Sequence, residues 1–189
     1  MQIILFGGSF DPPHLGHKAA AENVITQHIA DEVWFVPCQD HPFDKKLSDA
    51  AHRYAMLELM SKYIPNTKVS DYELKKKSKS YSLETLQHFS KTQPQHTFAW
   101  MIGSDQLESF SKWFHYEVLL QLFKVYVYPR ANFPFAPLLP NMIPLTTMPE
   151  VAISSTQIRE AIQDNTTIQK FVTPEVLTYI QQHNLYQKV

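Results

Sequence analysis

Two histidines, His14 and His17, lie three residues apart and follow a pair of glycines near the start of the chain. Residues three apart on a helix share a face, so the two imidazoles can point in one direction. Imidazole N–H groups and the free N–H groups of a helix N-terminus donate hydrogen bonds to anions, and glycines let the backbone approach a phosphate. The pattern predicts a phosphate site, with an ordinary surface pair of histidines as the alternative. Its candidate residues are Gly7, Gly8, Ser9, Phe10, His14 and His17.

Other phosphate and metal motifs do not explain this segment. No GK[ST] sequence occurs, which excludes a Walker loop, and the chain holds only four glycines. Zinc is disfavoured because the chain has one cysteine, Cys38, and no HExxH pattern. The single cysteine also excludes an internal disulfide. Side chains and helix N-termini are therefore left to hold the phosphate.

A second cluster of anion-binding groups lies far along the chain, at residues 153–159. Three hydroxyl residues begin a predicted helix, and Ser154 and Gln157 have the spacing of a capping box. Hydroxyls and free N–H groups at a helix start bind anions, and a guanidinium one turn later adds charge and a two-pronged donor. A well-capped surface helix is the alternative. The candidate residues here are Ser154, Ser155, Thr156 and Arg159.

Short apolar runs that alternate with helical stretches must position these residues. Such alternation predicts parallel β-α-β units, and the nearly continuous apolar strands predict a doubly wound sheet with helices on both faces. Ligands bind such sheets at the carboxyl ends of the strands, where the loops at 7–14, 38–46 and 103–106 lie. Strands are predicted at 3–6, 33–36, 67–70, 98–102, 125–128 and 142–145, and helices at 15–29, 50–62, 83–90, from 155 and from 174, with caps at Asp49, Ser82, Ser154 and Thr173.

Composition narrows the class of protein. The 189 residues fit a single domain, 1–189, with a small helical element at the C-terminal end. A net charge of −1 without a basic stripe argues against nucleic-acid binding. No apolar run approaches the ~20 residues of a membrane span, and no signal core precedes the first motif. We therefore expect a cytoplasmic protein that is complete from its first residue; the sequence leaves open whether it forms a homo-oligomer.

The first motif is the point at which the chain resembles a known family. GGSFDPPHLGH at residues 7–17 is similar to the GxFDPxHxGH signature of the HxGH nucleotidyltransferases, and residues 153–159 match their ISSTxIR motif at every defined position. The resemblance implies a Rossmann-like α/β fold, transfer of AMP from ATP, and Mg²⁺ accompanying ATP. It implies catalytic roles for His14, His17 and Arg159, ATP phosphates on residues 154–156, and ATP contacts at Gly103 and Asp105.

Further segments resemble the bacterial nicotinate-mononucleotide adenylyltransferases over the whole chain. They are the RxxML of residues 53–57, the DxE and SYS at 71–73 and 80–82, the GxD and Trp113 that follow residue 102, and the tail at 171–186. The resemblance implies that nicotinate mononucleotide is the acceptor and that its phosphate, already ionised, attacks ATP in line. The implied acceptor residues are Lys45, Lys46, Tyr81, Ser82 and Trp113.

Several positions depart from that family's pattern. Residues 41–46 read HPFDKK where PPHK or PPHR is usual, Phe114 stands for a tyrosine, Glu84 for an aspartate, and residues 75–79 are rich in lysine. The departures cluster around the acceptor, so they bear on its identity more than on ATP. The alternatives are a sibling transferase that uses nicotinamide mononucleotide or phosphopantetheine, and a catalytically silent nucleotide-binding module on the same fold.

Overall fold

The computed structural model describes residues 1–40, 46–76 and 79–188, and its centre is a six-stranded parallel sheet. The strands are β1 Gln2–Gly8, β2 Glu32–Pro37, β3 Thr67–Val69, β4 Thr97–Gly103, β5 Val125–Tyr128 and β6 Met142–Pro144. Their order is β3-β2-β1-β4-β5-β6, with parallel pairing throughout. The chain thus winds outwards from β1 in one direction and returns to β4 to wind outwards in the other. The predicted doubly wound α/β sheet is confirmed.

Six α-helices and one 3₁₀ helix accompany the sheet in the described residues. They are α1 Leu15–Thr26, α2 Ala50–Ser61, α3 Ser82–Thr92, the 3₁₀ helix Ser104–Lys112, α4 Tyr116–Leu122, α5 Ser155–Gln163 and α6 Pro174–Gln182. The predicted caps at Asp49, Ser154 and Thr173 each accept a backbone N–H of their helix. The predicted cap at Ser82 is wrong: Ser82 is the first helical residue, and Tyr81 caps α3 without a side-chain hydrogen bond.

Apolar residues alternate along the central strands and fill both faces of the sheet. Ile4 and Phe6 of β1 face one core, which α1, α2, α5 and α6 cover. Ile3 and Leu5 face the other, which α3, the 3₁₀ helix and α4 cover. All four side chains are at most 2% exposed. Burial on both faces requires near-continuous apolar strands, as the sequence shows. No described helix is long and apolar enough to cross a membrane.

The fold places its reversal of strand order between β1 and β4. The loops after these two central strands therefore diverge at the carboxyl edge of the sheet and leave a crevice between them, which is where sheets of this type bind ligands. The first histidine motif follows β1 and the predicted Gly103–Asp105 segment follows β4. The topology thus brings together segments that lie far apart in the sequence.

Candidate active site

His14 and His17 cap helix α1 reciprocally. The Nδ1 atom of His14 accepts the N–H of Gly16 at 3.1 Å, and the Nδ1 atom of His17 accepts the N–H of His14 at 3.2 Å. This is a capping box in which histidines replace the usual Ser/Thr and Glu/Gln pair. The rings stack with centroids 3.7 Å apart. The sequence placed the pair on one helix face but did not anticipate that each ring would also cap the helix.

The caps fix the tautomer of both rings. A neutral imidazole has one donor and one acceptor nitrogen, so an acceptor at Nδ1 leaves the proton on Nε2. Burial, followed by the charge of Arg130, lowers the pKa of His17 to about 3. Burial, then His17 and Arg130, lowers the pKa of His14 well below its usual range. At neutral pH the site therefore presents two uncharged Nε2–H donors.

Two glycines of this region are required by packing. A Cβ on Gly16 would lie 2.3 Å from Val151 Cγ1 and 2.9 Å from His14 Nδ1, so it would break the cap. A Cβ on Gly7 would lie 2.0 Å from Trp100 Cζ2. The sequence attributed Gly7 to close approach of a phosphate, but the structure supplies a different reason: this glycine makes room for the tryptophan of β4.

The second cluster begins helix α5 and contacts the loop after β1 directly. Ser155 Oγ donates to the carbonyl of Pro12 at 2.8 Å, and Arg159 Nη1 donates to the carbonyl of Asp11 at 2.6 Å. Thr156 Oγ1 accepts from Arg159 Nη2 at 3.1 Å. These side chains, with Ser154, line the same cleft as the two histidines. The structure therefore brings the two predicted phosphate-binding segments together in one cleft.

Arg130 is a cleft residue that sequence reasoning missed. It follows β5, its Nη1 donates to the carbonyl of Ile153, and its Nε lies 3.6 Å from Asp105 Oδ1. It contributes a second guanidinium beside Arg159 on the cleft wall. Asp105 and Gly103, which were predicted as ATP contacts, also line the cleft. Arg130 has no motif around it, but its place just beyond the carboxyl end of a predicted strand is a signal that could have identified it.

A buried network braces the loop that carries the histidines. Asp11, 3% exposed, accepts hydrogen bonds from the N–H and hydroxyl of Ser48 and from the Tyr186 hydroxyl, the last at 2.7 Å. Arg53, 1% exposed, donates to the carbonyls of four residues in the loops after β1 and β2. Those four residues are Ser9, Cys38, Gln39 and Ser48. One guanidinium thus connects both loops, a role that the RxxML pattern did not reveal.

The other wall of the cleft carries the predicted acceptor residues in part. Trp113 and Ser82 line it, and Trp113 stacks on Phe110 with centroids 4.9 Å apart. Tyr81 does not line the cleft; it stacks on Phe114, with centroids 4.4 Å apart. Lys46 is exposed and also lies off the cleft, and Lys45 falls outside the described residues.

Three residues on this wall were not singled out as site residues from the sequence. Glu73, Ser80 and Trp100 all line the cleft. Glu73 is 4% exposed and accepts a hydrogen bond from Thr85 Oγ1 at 2.6 Å. Burial raises the pKa of Glu73 to about 7. The wall therefore combines aromatic rings with neutral donors and a carboxyl group that is half protonated near pH 7.

Curated relatives match the chain over nearly its full length. A probable nicotinate-nucleotide adenylyltransferase of Oceanobacillus iheyensis is 34% identical over 186 residues, covering 98% of this chain and 96% of the relative. The nicotinate-nucleotide adenylyltransferase of Bacillus subtilis is 31% identical over 188 residues and covers 98% of each chain. A probable enzyme of the same name from Flavobacterium psychrophilum is 36% identical over the whole of both chains.

Family and fold comparisons agree with those relatives. The solved Plasmodium falciparum nicotinic acid mononucleotide adenylyltransferase, complexed with NaAD, superposes with a TM-score of 0.82. It is 23% identical, with 98% of this chain and 97% of that chain covered, so it supports the fold. The cytidylyltransferase-like family model matches residues 5–161. The chain belongs to the cytidylyltransferase-like family and, within it, to the nicotinate-nucleotide adenylyltransferases.

Proposed function

We propose that this protein transfers the adenylyl group of ATP to nicotinate mononucleotide, giving deamido-NAD and pyrophosphate, and that residues 1–189 form one nucleotidyltransferase domain for this reaction. The observation that carries the proposal is one cleft whose lining combines the paired histidines, two arginines and the start of α5 with the aromatic and hydroxyl side chains of Trp100, Trp113, Ser80 and Ser82. The names of the curated relatives support the same reaction. The product belongs to the biosynthesis of NAD.

On the phosphate wall, each group acts as a donor to developing negative charge. The Nε2–H groups of His14 and His17 are uncharged donors whose rings are held in place by the α1 cap. Arg159 and Arg130 supply positive charge, and the N-terminus of α5 with its hydroxyls adds oriented dipoles. Gly7, Gly8, Ser9 and Phe10 form the loop beneath them. Preorganised donors of this kind stabilise the transition state without reorganising during the reaction.

The chemistry needs no strong base. An oxygen of the acceptor's phosphate forms a bond to the α-phosphorus of ATP, the bond from that phosphorus to the bridging oxygen breaks, and the electron pair leaves on pyrophosphate. Because the attacking phosphate is already ionised, the residues act by positioning the reactants and stabilising charge. The very low pKa values of His14 and His17 agree with this, since both rings stay neutral and donate.

Magnesium fits this site as a companion of ATP. Among the described residues, no group of three or more His, Cys, Asp or Glu side chains could hold a metal ion. The three carboxyl groups that line the cleft are engaged: Asp11 accepts from Ser48 and Tyr186, Asp105 lies beside Arg130, and Glu73 accepts from Thr85. Mg²⁺ commonly keeps waters and binds substrate phosphates instead of a protein cage. We therefore propose MgATP as the substrate, with the metal's ligands drawn from phosphate oxygens and water.

Pyrophosphate release from MgATP tests the proposal, with nicotinate mononucleotide, nicotinamide mononucleotide, phosphopantetheine or no acceptor in parallel. We expect rapid release with the nicotinate compound and formation of deamido-NAD. In the same assay, His17→Ala should lose on the order of 10²–10³ in kcat, as for loss of one oxyanion donor. Faster release with another acceptor, or near-normal turnover of His17→Ala, would contradict the assignment.

A further inference from the structure

The seam between helices α2 and α6 carries a pair of histidines that the proposed reaction does not use. His52 lies in the first turn of α2, and His183 caps the C-terminal end of α6. The two rings have centroids 5.0 Å apart and are tilted by 56° to each other. Neither residue lines the cleft. Two imidazoles from distant parts of the sequence therefore meet at a second place on the molecule.

Contacts at both ends of the seam fix the position of the two helices. The hydroxyl of Tyr63, just beyond the end of α2, donates to Glu175 in the first turn of α6. The start of α2 meets the end of α6 at His52 and His183, so the helices run antiparallel. Both also pack against the same apolar core. The two imidazoles are thus held near each other by the packing of the helices that carry them.

Tyr179 orients both rings. Its hydroxyl lies 3.0 Å from His52 Nδ1, and its ring packs on His183, four residues further along α6, with centroids 4.2 Å apart. Because Nδ1 of His52 is engaged, Nε2 is the nitrogen of that ring which is left for a ligand. A histidine that binds a metal through one nitrogen usually hydrogen-bonds through the other, which fixes the orientation of the ring. The contact with Tyr179 gives His52 this arrangement.

The separation of the two rings fits one shared metal ion. Two imidazoles that bind one tetrahedral zinc at Zn–N distances of about 2.0–2.1 Å have centroids about 5 Å apart. Imidazole nitrogen suits Zn²⁺, Cu²⁺ and Ni²⁺, whereas Mg²⁺ and Ca²⁺ prefer oxygen ligands. The part of the chain that the structure describes has no group of three His, Cys, Asp or Glu side chains for an ion. Water would therefore complete the coordination.

We propose that His52 and His183 form a two-histidine site for Zn²⁺, or for a similar divalent ion that prefers imidazole, and that the bound ion ties α6 to α2. The folded chain holds the two rings together and the unfolded chain does not, so the ion stabilises the fold. The segment after α6 carries Tyr186, which hydrogen-bonds Asp11 in the loop of the paired histidines. The ion thus fastens the helix from which that brace extends.

Calorimetric titration with zinc chloride at pH 7.5, without nucleotide, tests the site together with thermal unfolding. At a free Zn²⁺ concentration a hundredfold above the dissociation constant, the Tm should rise by about 5–10 °C. Magnesium chloride at the same concentration should leave the Tm unchanged. His52→Gln and His183→Gln should each lower the affinity for Zn²⁺ at least about tenfold, since loss of a residue that merely orients a ligand already costs that much. Both should also lose the rise in Tm.

His28→Asn is the matched control, because it removes an exposed histidine that follows α1. Asparagine tolerates the left-handed backbone at this position, where φ is 54°. Its affinity for Zn²⁺ and its rise in Tm should equal those of the wild type. Zinc binding that survives both substitutions at the seam, or zinc binding that does not raise the Tm, would overturn the site. The side chain of His183 is exposed, so His183→Gln decides the question if His52→Gln does not fold.

Discussion

Replacing His14 by serine or alanine separates its role as a helix cap from its role as a phosphate donor. His14 is the N-cap of α1 and accepts the Gly16 N–H through Nδ1. Serine is a favoured N-cap residue whose hydroxyl can accept the same kind of bond, and alanine cannot. Both variants lose the imidazole and its Nε2–H. The two functions of one side chain can therefore be measured independently.

The expected magnitudes follow from these contacts. Both variants should lose the same packing, because His14 is only 3% exposed, so their difference in stability isolates the cap. His14→Ser should be about 1 kcal/mol more stable than His14→Ala in urea unfolding at pH 7.5. Both should lose on the order of 10²–10³ in kcat, measured by pyrophosphate release.

The cap and the donor role of His14 are tested separately. Equal stabilities of the serine and alanine variants would refute the importance of the cap. Turnover of His14→Ser within about tenfold of the wild type would refute the donor role. Nitrogen NMR of the wild type provides the direct control, since both rings should show protonated Nε2 and unprotonated Nδ1 from pH 8 down to pH 5.

Three further perturbations address the rest of the site. Arg53→Met should lower the free energy of unfolding by at least about 3 kcal/mol, because four backbone carbonyls lose a charged donor. Urea denaturation measures this change, and a loss under about 1 kcal/mol would contradict the prediction. Tyr186→Phe should lower the free energy of unfolding by about 1–2 kcal/mol, because it deletes the 2.7 Å hydrogen bond to Asp11. A double-mutant cycle with Ser48→Ala should show an interaction energy between the two positions, and strict additivity would show that they do not share a network. Glu73→Gln should be stabilising at pH 8 and near neutral at pH 4. The pKa of Glu73 is about 7 in the folded protein and 4.5 when unperturbed, so the stability of the wild type falls as the pH rises between these values. The fall is up to roughly 3 kcal/mol, at about 1.4 kcal/mol per pKa unit. Thermal unfolding of both proteins at the two pH values measures this, and a stability difference that does not depend on pH would contradict it.

The sequence predicted the strands because β1, β2 and β4 are buried on both faces and read as continuous apolar runs. It predicted caps where the chemistry is local, as at Asp49, Ser154 and Thr173. The predicted end of α1 at Ile29 is wrong by three residues, since His28 adopts a left-handed conformation after Thr26.

Two helices were missed for identifiable reasons. Residues 116–122 of α4 read YEVLLQL, which is too short and too apolar to separate a helix from a strand by periodicity. The 3₁₀ helix at 104–112 has no helical repeat of 3.6 residues to detect. Both flank Trp113, so the shape of the cleft at this residue could not be predicted from the pattern.

The site residues also divide into those that a local motif predicts and those that act through contacts with distant parts of the chain. His14, His17 and Arg159 stand in motifs that can be read locally, and the structure places them in one cleft. Arg130 and Arg53 act through contacts with distant backbone carbonyls, and nothing in their neighbouring residues encodes those contacts. Lys46 was assigned by its charge and lies exposed, off the cleft. Long-range hydrogen bonds are the part of a site that a single sequence does not display.

The hydrogen bond between Tyr186 and Asp11 also bears on how fast the chain folds. It joins residues separated by 175 positions along the chain, so its formation closes one of the longest loops in the molecule and bears a correspondingly large entropy of closure. Contacts of such sequence separation slow folding, because the entropy of closure is lost before the contact is gained. A nascent chain that has extended through α5 already carries both phosphate motifs yet lacks this brace. In such a chain the loop that carries the histidines lacks one of its braces until the last helix and the tail that follows it are in place.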